Sequence, residues 1–117
     1  MNAQDYVDGF VCPVKTANKE TYLAFARKAA QAFKQHGALS VVECWGDDVP
    51  EGKLTSMPMA VKLESDETVV FSWIVWPDRD TRNQAMKVLM DDQEMSRDMP
   101  FDGKRLIYGG FAAMLVE

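Results

Sequence analysis

The sequence is poor in the residues that build metal centres and crosslinks. It holds one histidine, His36, and two cysteines, Cys12 and Cys44. One imidazole and two separated thiols form no recognisable metal motif, and the expected role of both cysteines is that of small buried hydrophobes within strands. No apolar run approaches the roughly 18 residues that a membrane-spanning helix needs. The N-terminal residues Met1 to Asp5 are polar and lack the basic and apolar segments of a signal peptide. A cytoplasmic location with reduced thiols is therefore expected. Positive charge is also short: 13 Lys and Arg face 18 Asp and Glu, for a net charge of −5. Lys15, Lys19, Arg27, Lys28 and Lys34 are spread out rather than clustered. Nucleic acid is thereby disfavoured as a partner, because that affinity rests on neutralising phosphates. No Pro/Gly/Ser-rich linker interrupts the 117 residues. A single domain, 1–117, is expected, large enough to bury roughly two-thirds of its unfolded surface without metals or crosslinks.

The most informative stretch is Glu67 to Asp92, ETVVFSWIVWPDRDTRNQAMKVLMDD. Thr68 to Trp76 is β-branched or aromatic at almost every position. Val69, Phe71, Trp73 and Val75 alternate with Val70, Ser72, Ile74 and Trp76, so neither face of the strand is polar and both must be covered. Pro77 ends the strand, Asp78 can cap, and Arg79 to Met90 has the spacing of an amphipathic helix, with Arg82, Ala85, Met86 and Leu89 on one side.

The remaining elements follow in order. Tyr6 to Val14 reads as a first strand, with Gly9 marking a bulge or a close backbone approach. Asn18 is a plausible N-cap for a helix over Lys19 to His36, with Tyr22, Phe25, Ala26, Ala29 and Phe33 at helical spacing. His36-Gly37 ends it, the glycine at C′. Ala38 to Trp45 is a second strand, followed by a polar loop. Met59 to Leu63 reads as a short extension of the third strand. Asp91 to Met99 reads as a further irregular turn or two of helix. Leu106 to Val116 is the last strand, with Gly109-Gly110 expected to kink or bulge it.

The order is β-α-β-β-α-β, an α+β fold. In one layer with right-handed crossovers this is the ferredoxin-like arrangement, a four-stranded antiparallel sheet of order 4-1-3-2 with two helices on one face. The other face, apolar in the third and fourth strands, is left open. A second copy of the same sheet, packed by two-fold symmetry, is the expected cover, giving a homodimer. Cys12 and Cys44 then lie two strand spacings apart, roughly 9–10 Å, beyond the Cα separation of about 7 Å that a disulfide tolerates.

The segments YVDGF (6–10), VECWGDDVPEGK (42–53), ETVVFSWIVWP (67–77) and MPFDGKRLIYGGF (99–111) together resemble the YbaA-like family of uncharacterised bacterial proteins. The resemblance covers nearly the whole chain. It implies a dimeric α/β barrel, in which two ferredoxin-like sheets face each other, and it implies no particular reaction. Other branches of that superfamily include cofactor-free and haem-degrading monooxygenases, chlorite-dismutating enzymes, muconolactone isomerase and stress-induced dimers, so the fold alone assigns no chemistry. The haem-degrading pattern needs an Asn on the first strand and a His on the second helix, and this sequence has neither.

Candidate functional residues are few. Asp8 and Glu43 are carboxylates in mid-strand between apolar neighbours. A desolvated carboxylate can act as a general acid or base; the alternative is pairing with Arg105, Lys62 or backbone donors. His36 is either a helix C-cap or a proton shuttle at a pocket mouth. Trp45, Trp73 and Trp76 can line a ligand cavity or fill the core and the dimer face, and Tyr108 and Arg105 complete the candidate ligand contacts. Asp47, Asp48 and Glu51 lack calcium-loop spacing, and Gly103-Lys104 lacks a phosphate-loop pattern. Met86, Met90, Met95 and Met99 suit adaptable core or lid packing. The expectation is a homodimer binding a small, partly apolar molecule, with no cofactor, metal, nucleic acid or membrane; the alternative is a cofactor-independent monooxygenase, isomerase or lyase using those carboxylates.

Overall fold

The structure, a computed structural model, describes residues 1–91 and 99–117. The expected helical turn over 91–99 therefore lies largely outside the described residues, as does Met95. Four strands, β1 (Tyr6–Lys15), β2 (Ser40–Trp45), β3 (Glu67–Trp76) and β4 (Ile107–Ala112), form one antiparallel sheet in the order β2-β3-β1-β4. This is the expected 4-1-3-2 order. Two long helices, α1 (Lys19–Gln35) and α3 (Arg79–Met90), pack on one face, and a single-turn helix, α2 (Met57–Ala60), sits in the β2–β3 connection.

Local chemistry explains the boundaries. Asp78 accepts from the Thr81 amide at 2.7 Å and starts α3. The N-cap expected of Asn18 is not made by its side chain; a 3-10 turn over Thr16–Asn18 leads into α1 instead. At the other end the Ala38 amide donates to the Phe33 carbonyl and the Gly37 amide to that of Lys34, a Schellman motif. Gly37 takes φ +108°, where a side chain would be strained and would also strike Thr81. The expected strand extension over Met59 to Leu63 is corrected: Pro58 sits in the first turn of α2 and Ser56 caps it by accepting from the Met59 amide, so Met59 and Ala60 are helical and a turn follows over residues 61–62.

No bulge occurs at Gly9 or at Gly109-Gly110, and the close backbone approach that was the other reading of Gly9 is not made either, the neighbour of a Cβ there being a Phe111 ring carbon at 3.7 Å. β1 pairs with β3 from Tyr6↔Trp76 to Lys15↔Glu67 and with β4 from Tyr6↔Ala112 to Val11↔Ile107 without a skipped residue. Gly110 is small for another reason. A Cβ there would lie 2.5 Å from the Tyr6 hydroxyl and 2.7 Å from the Arg82 guanidinium. The last strand is also shorter than its apolar run, and Met114 and Leu115 beyond it are exposed.

Register sorts the two sheet faces. Tyr108, Phe10, Ser72 and Glu43 are successive partners across β4, β1, β3 and β2, so one rung of the sheet runs under the helices. Leu106, Cys12, Val70 and Trp45 lie on the same face, where Cys12, Val14, Tyr22, Ala26 and Val70 form one core cluster. Ala38, Ile74, Trp76 and Ala85 form the other, with Phe33 edge-on to Trp76. The opposite face carries Val7, Val11, Val42, Cys44, Phe71, Trp73, Ile107 and Phe111. Phe71 is 39% exposed and Phe111 61%. Cys12 and Cys44 point to opposite faces, and both are free thiols.

Candidate functional site

Between the covered face of the sheet and the helices lies an open cavity of about 290 Å³. The rung Tyr108–Phe10–Ser72–Glu43 forms its floor, α1 contributes Tyr22, Phe25, Ala29 and Phe33, and α3 contributes Leu89 and Met90. Met99, Phe101 and Leu106 close one side. The helical spacing that stacks Tyr22, Phe25, Ala29 and Phe33 on one stripe of α1 is what turns that stripe into a wall. Ala29 is small where its neighbours are large, and this leaves room above the sheet.

Polar atoms are few and converge. The Tyr22 hydroxyl donates to Glu43 Oε1 at 2.6 Å, and the Cys12 thiol sits beside that hydroxyl. Solvent reaches Glu43 from the cavity, yet the surrounding apolar side chains desolvate it. Desolvation pushes its carboxyl above the ordinary value, and the Tyr22 hydrogen bond offsets part of the rise. Burial, then the nearby Glu43 charge, pushes the Cys12 thiol up to about 12. The Tyr22 phenol is likewise held above its usual range, by burial first and Glu43 second, so it stays a proton donor. A carboxylate so placed can accept a hydrogen bond or a proton from a bound molecule.

The other candidate residues are placed differently. Asp8, 2% exposed, accepts from Trp76 Nε1 at 2.9 Å and from the guanidinium of Arg82, with Nη2 at 2.8 Å from Oδ1. That ion pair is closed, away from the cavity lining, and its cation is Arg82 of α3 rather than Arg105 or Lys62. Arg82 was legible as a charge inside the apolar stripe of its helix. Arg105 instead forms a two-pronged pair with Glu67, both N–O distances 2.7 Å, and also donates to Asp102 and to the Lys62 carbonyl. His36 is an exposed C-cap residue outside the cavity lining. Trp76 is fully buried in the core, Trp45 packs beside the first core cluster under the Lys19 ammonium, and Trp73 lies on the open face beside Phe71. Of the candidates, the cavity brings together Glu43 and Tyr108, the latter 69% exposed and stacked on Phe10. Sequence reasoning passed over Tyr22, whose signal was a hydroxyl on an apolar helix face that needs a partner when buried. Among the described residues no group of three or more His, Cys, Asp or Glu side chains is placed to hold a metal ion.

Comparison with known proteins agrees with this architecture. The solved structure of a mutant of SnoaB from Streptomyces nogalater, described as a cofactor-independent oxygenase, superposes with a TM-score of 0.64 at 14% identity, covering 97% of each chain. A dimeric ferredoxin-like protein from an uncultured marine organism gives 0.56 at 11% identity, again with 97% of each chain covered. A putative antibiotic biosynthesis monooxygenase from Bacillus cereus gives 0.52 at 7%, with the same coverage. At these identities the likeness establishes the ferredoxin-like fold and no activity. In sequence the chain is 51% identical to the uncharacterized protein YbaA of Escherichia coli strain K12 over 115 residues, 96% of this chain and 98% of that protein. The same identity is found with YbaA of Shigella flexneri. Residues 5–103 match the family described as Protein of unknown function (DUF1428), and the chain belongs to that YbaA-like family.

Proposed function

We propose that the protein is a homodimer in which each subunit binds a small, predominantly apolar molecule between its sheet and its two long helices. The observation that carries this reading is the cavity itself: about 290 Å³, walled mainly by aromatic and aliphatic side chains around the hydrogen-bonded Tyr22–Glu43 pair. Concave apolar sites with a few convergent polar groups are what small-molecule sites look like. The open sheet face supports the second half of the proposal. Phe71, Trp73, Ile107 and Phe111 form an apolar surface on a sheet whose other face is covered, and a two-fold copy would bury it. A similar fold described as dimeric in another protein agrees with this. The two thiols, on opposite faces of the sheet, cannot pair within a subunit, which fits the reducing cytoplasm.

A second reading, that the pocket carries out cofactor-independent chemistry, is favoured by Glu43. It is a carboxylate of raised proton affinity facing a solvent-reachable cavity, whereas Asp8 is held in a closed pair. Native mass spectrometry of the purified protein, followed by denaturation, tests the binding reading. A dimer with extra mass that disappears on denaturation supports it and identifies the ligand. A monomer of bare polypeptide mass contradicts it.

A further inference from the structure

Three carboxylates stand on the sheet: Asp8 on β1 and Glu67 on β3 are buried, whereas Glu43 on β2 is solvent-exposed and lines the cavity. Two are held by guanidinium groups, Asp8 by Arg82 and Glu67 by Arg105. Glu43 differs. Its hydrogen bond among the described residues is the one that Tyr22 donates to Oε1, and no cation is paired with it there. No Lys, Arg or His lines the cavity among those residues either. A carboxylate in apolar surroundings needs a counter-charge or several hydrogen bonds. Water supplies them while the cavity is open. A bound molecule that displaces that water strands Oε2 unless it brings a partner of its own.

We propose that the ligand supplies the counter-charge: the pocket selects an organic cation, an alkyl- or arylalkylammonium, with its positive centre against Glu43 and its apolar part on Phe10, Phe25, Phe33 and Tyr108. This rests on the small-molecule reading of the same cavity. Two features of the site fit a cation better than a neutral guest. Aromatic faces attract positive charge through their quadrupole, and six of the lining side chains are Phe or Tyr. The Tyr22 hydroxyl already donates to Oε1, so Oε2 of this cavity-lining residue is an acceptor without a donor among the described residues. Desolvation raises the proton affinity of Glu43, and a cation at Oε2 would relieve the same penalty that a proton relieves.

The test compares benzylammonium with its uncharged carbon isostere, ethylbenzene, binding to the intact protein, followed by amide and side-chain NMR shifts. The two probes share shape and differ in charge. Roughly tenfold or stronger preference for the cation is expected in the wild type. In Glu43→Gln, which keeps an acceptor for Tyr22, the preference should vanish while the isostere binds as before. Equal binding of both probes to the wild type, or a cation preference that survives Glu43→Gln, would overturn the proposal and leave the apolar-pocket reading standing. If neither probe shifts the residues of the cavity and the purified protein carries no bound mass, both readings fail together.

Discussion

Arg82 of α3 reaches Asp8 of β1 through the space that Gly110 of β4 leaves empty. Gly110 is the β4 partner of Asp8, and a Cβ on it would come within 2.7 Å of the Arg82 guanidinium. A helix is thus tied to the middle of the sheet by one ion pair, with Trp76 Nε1 donating to the same carboxylate and the Tyr6 ring 5.2 Å below the guanidinium. Both Asp8 oxygens, the Trp76 indole N–H and all three Arg82 nitrogens have partners, which is the condition for burying charge without a large penalty.

Breaking the knot from either side should therefore be costly. Asp8→Ala strands Arg82 and the Trp76 indole and should lower unfolding free energy by about 3 kcal/mol in denaturant titrations. Gly110→Ala should destabilise by striking both the Tyr6 ring and hydroxyl and the Arg82 guanidinium, so its cost should shrink in part in Arg82→Ala and markedly in Tyr6→Ala/Arg82→Ala. Additive losses would show that Gly110 serves something else.

Glu67 and Arg105 give the protein an acid-sensitive joint. The two-pronged hydrogen bonds from Arg105 hold the Glu67 carboxyl below its ordinary value of 4.5. A carboxyl depressed on folding contributes stability that is complete above its unfolded value and is lost as pH falls through that value and below. Melting temperature should thus drop on acidification below about pH 4.5. Arg105→Gln should flatten that part of the profile.

Glu43 has the opposite sign. Its carboxyl lies above the ordinary value because of desolvation, so the folded state binds more proton in that interval and stability falls as pH rises through it. Glu43→Gln should raise the melting temperature slightly at neutral pH and leave it unchanged below about pH 4. A loss at neutral pH would mean that the charge is stabilised by a partner in the empty protein.

The fold was legible in the sequence because its apolar runs and the residues that end them are well marked. Thr68 to Trp76 could be nothing but an interior strand, and Asp78 and Gly37 mark helix ends through chemistry that is local. What depended on distant contacts was not legible. Because both parities of β3 are apolar, nothing in the sequence says that Ser72 and Ile74, rather than Phe71 and Trp73, face the helices; only the pairing register decides that. The tryptophans misled for the same reason. Their size suits a cavity and a core equally, and Trp76 went to the core because its indole N–H found Asp8. The role of Gly110 depends on a guanidinium 28 positions earlier in the chain, where composition suggested a bulge.

The cysteines report on the two faces separately. Cys12, with a thiol pushed up to about 12, should resist alkylation in the folded protein whatever its oligomeric state. Cys44 lies on the open sheet face and should be shielded only while a second copy covers it. Phe71→Asp, which places a charge on that face, should yield monomers in which one thiol per chain reacts, read by mass spectrometry after a brief iodoacetamide pulse.

On the proposed function the two faces of one sheet do different work, the covered face holding a ligand and the open face holding a second subunit. The most direct measurement is light scattering combined with titration of a small aromatic probe on the wild type, Phe71→Asp and Ala29→Phe. The expected result is a wild-type dimer that binds the probe, a monomeric Phe71→Asp, and an Ala29→Phe dimer whose filled cavity no longer binds. A wild-type monomer, or an Ala29→Phe protein that binds the probe as well as the wild type, would contradict it.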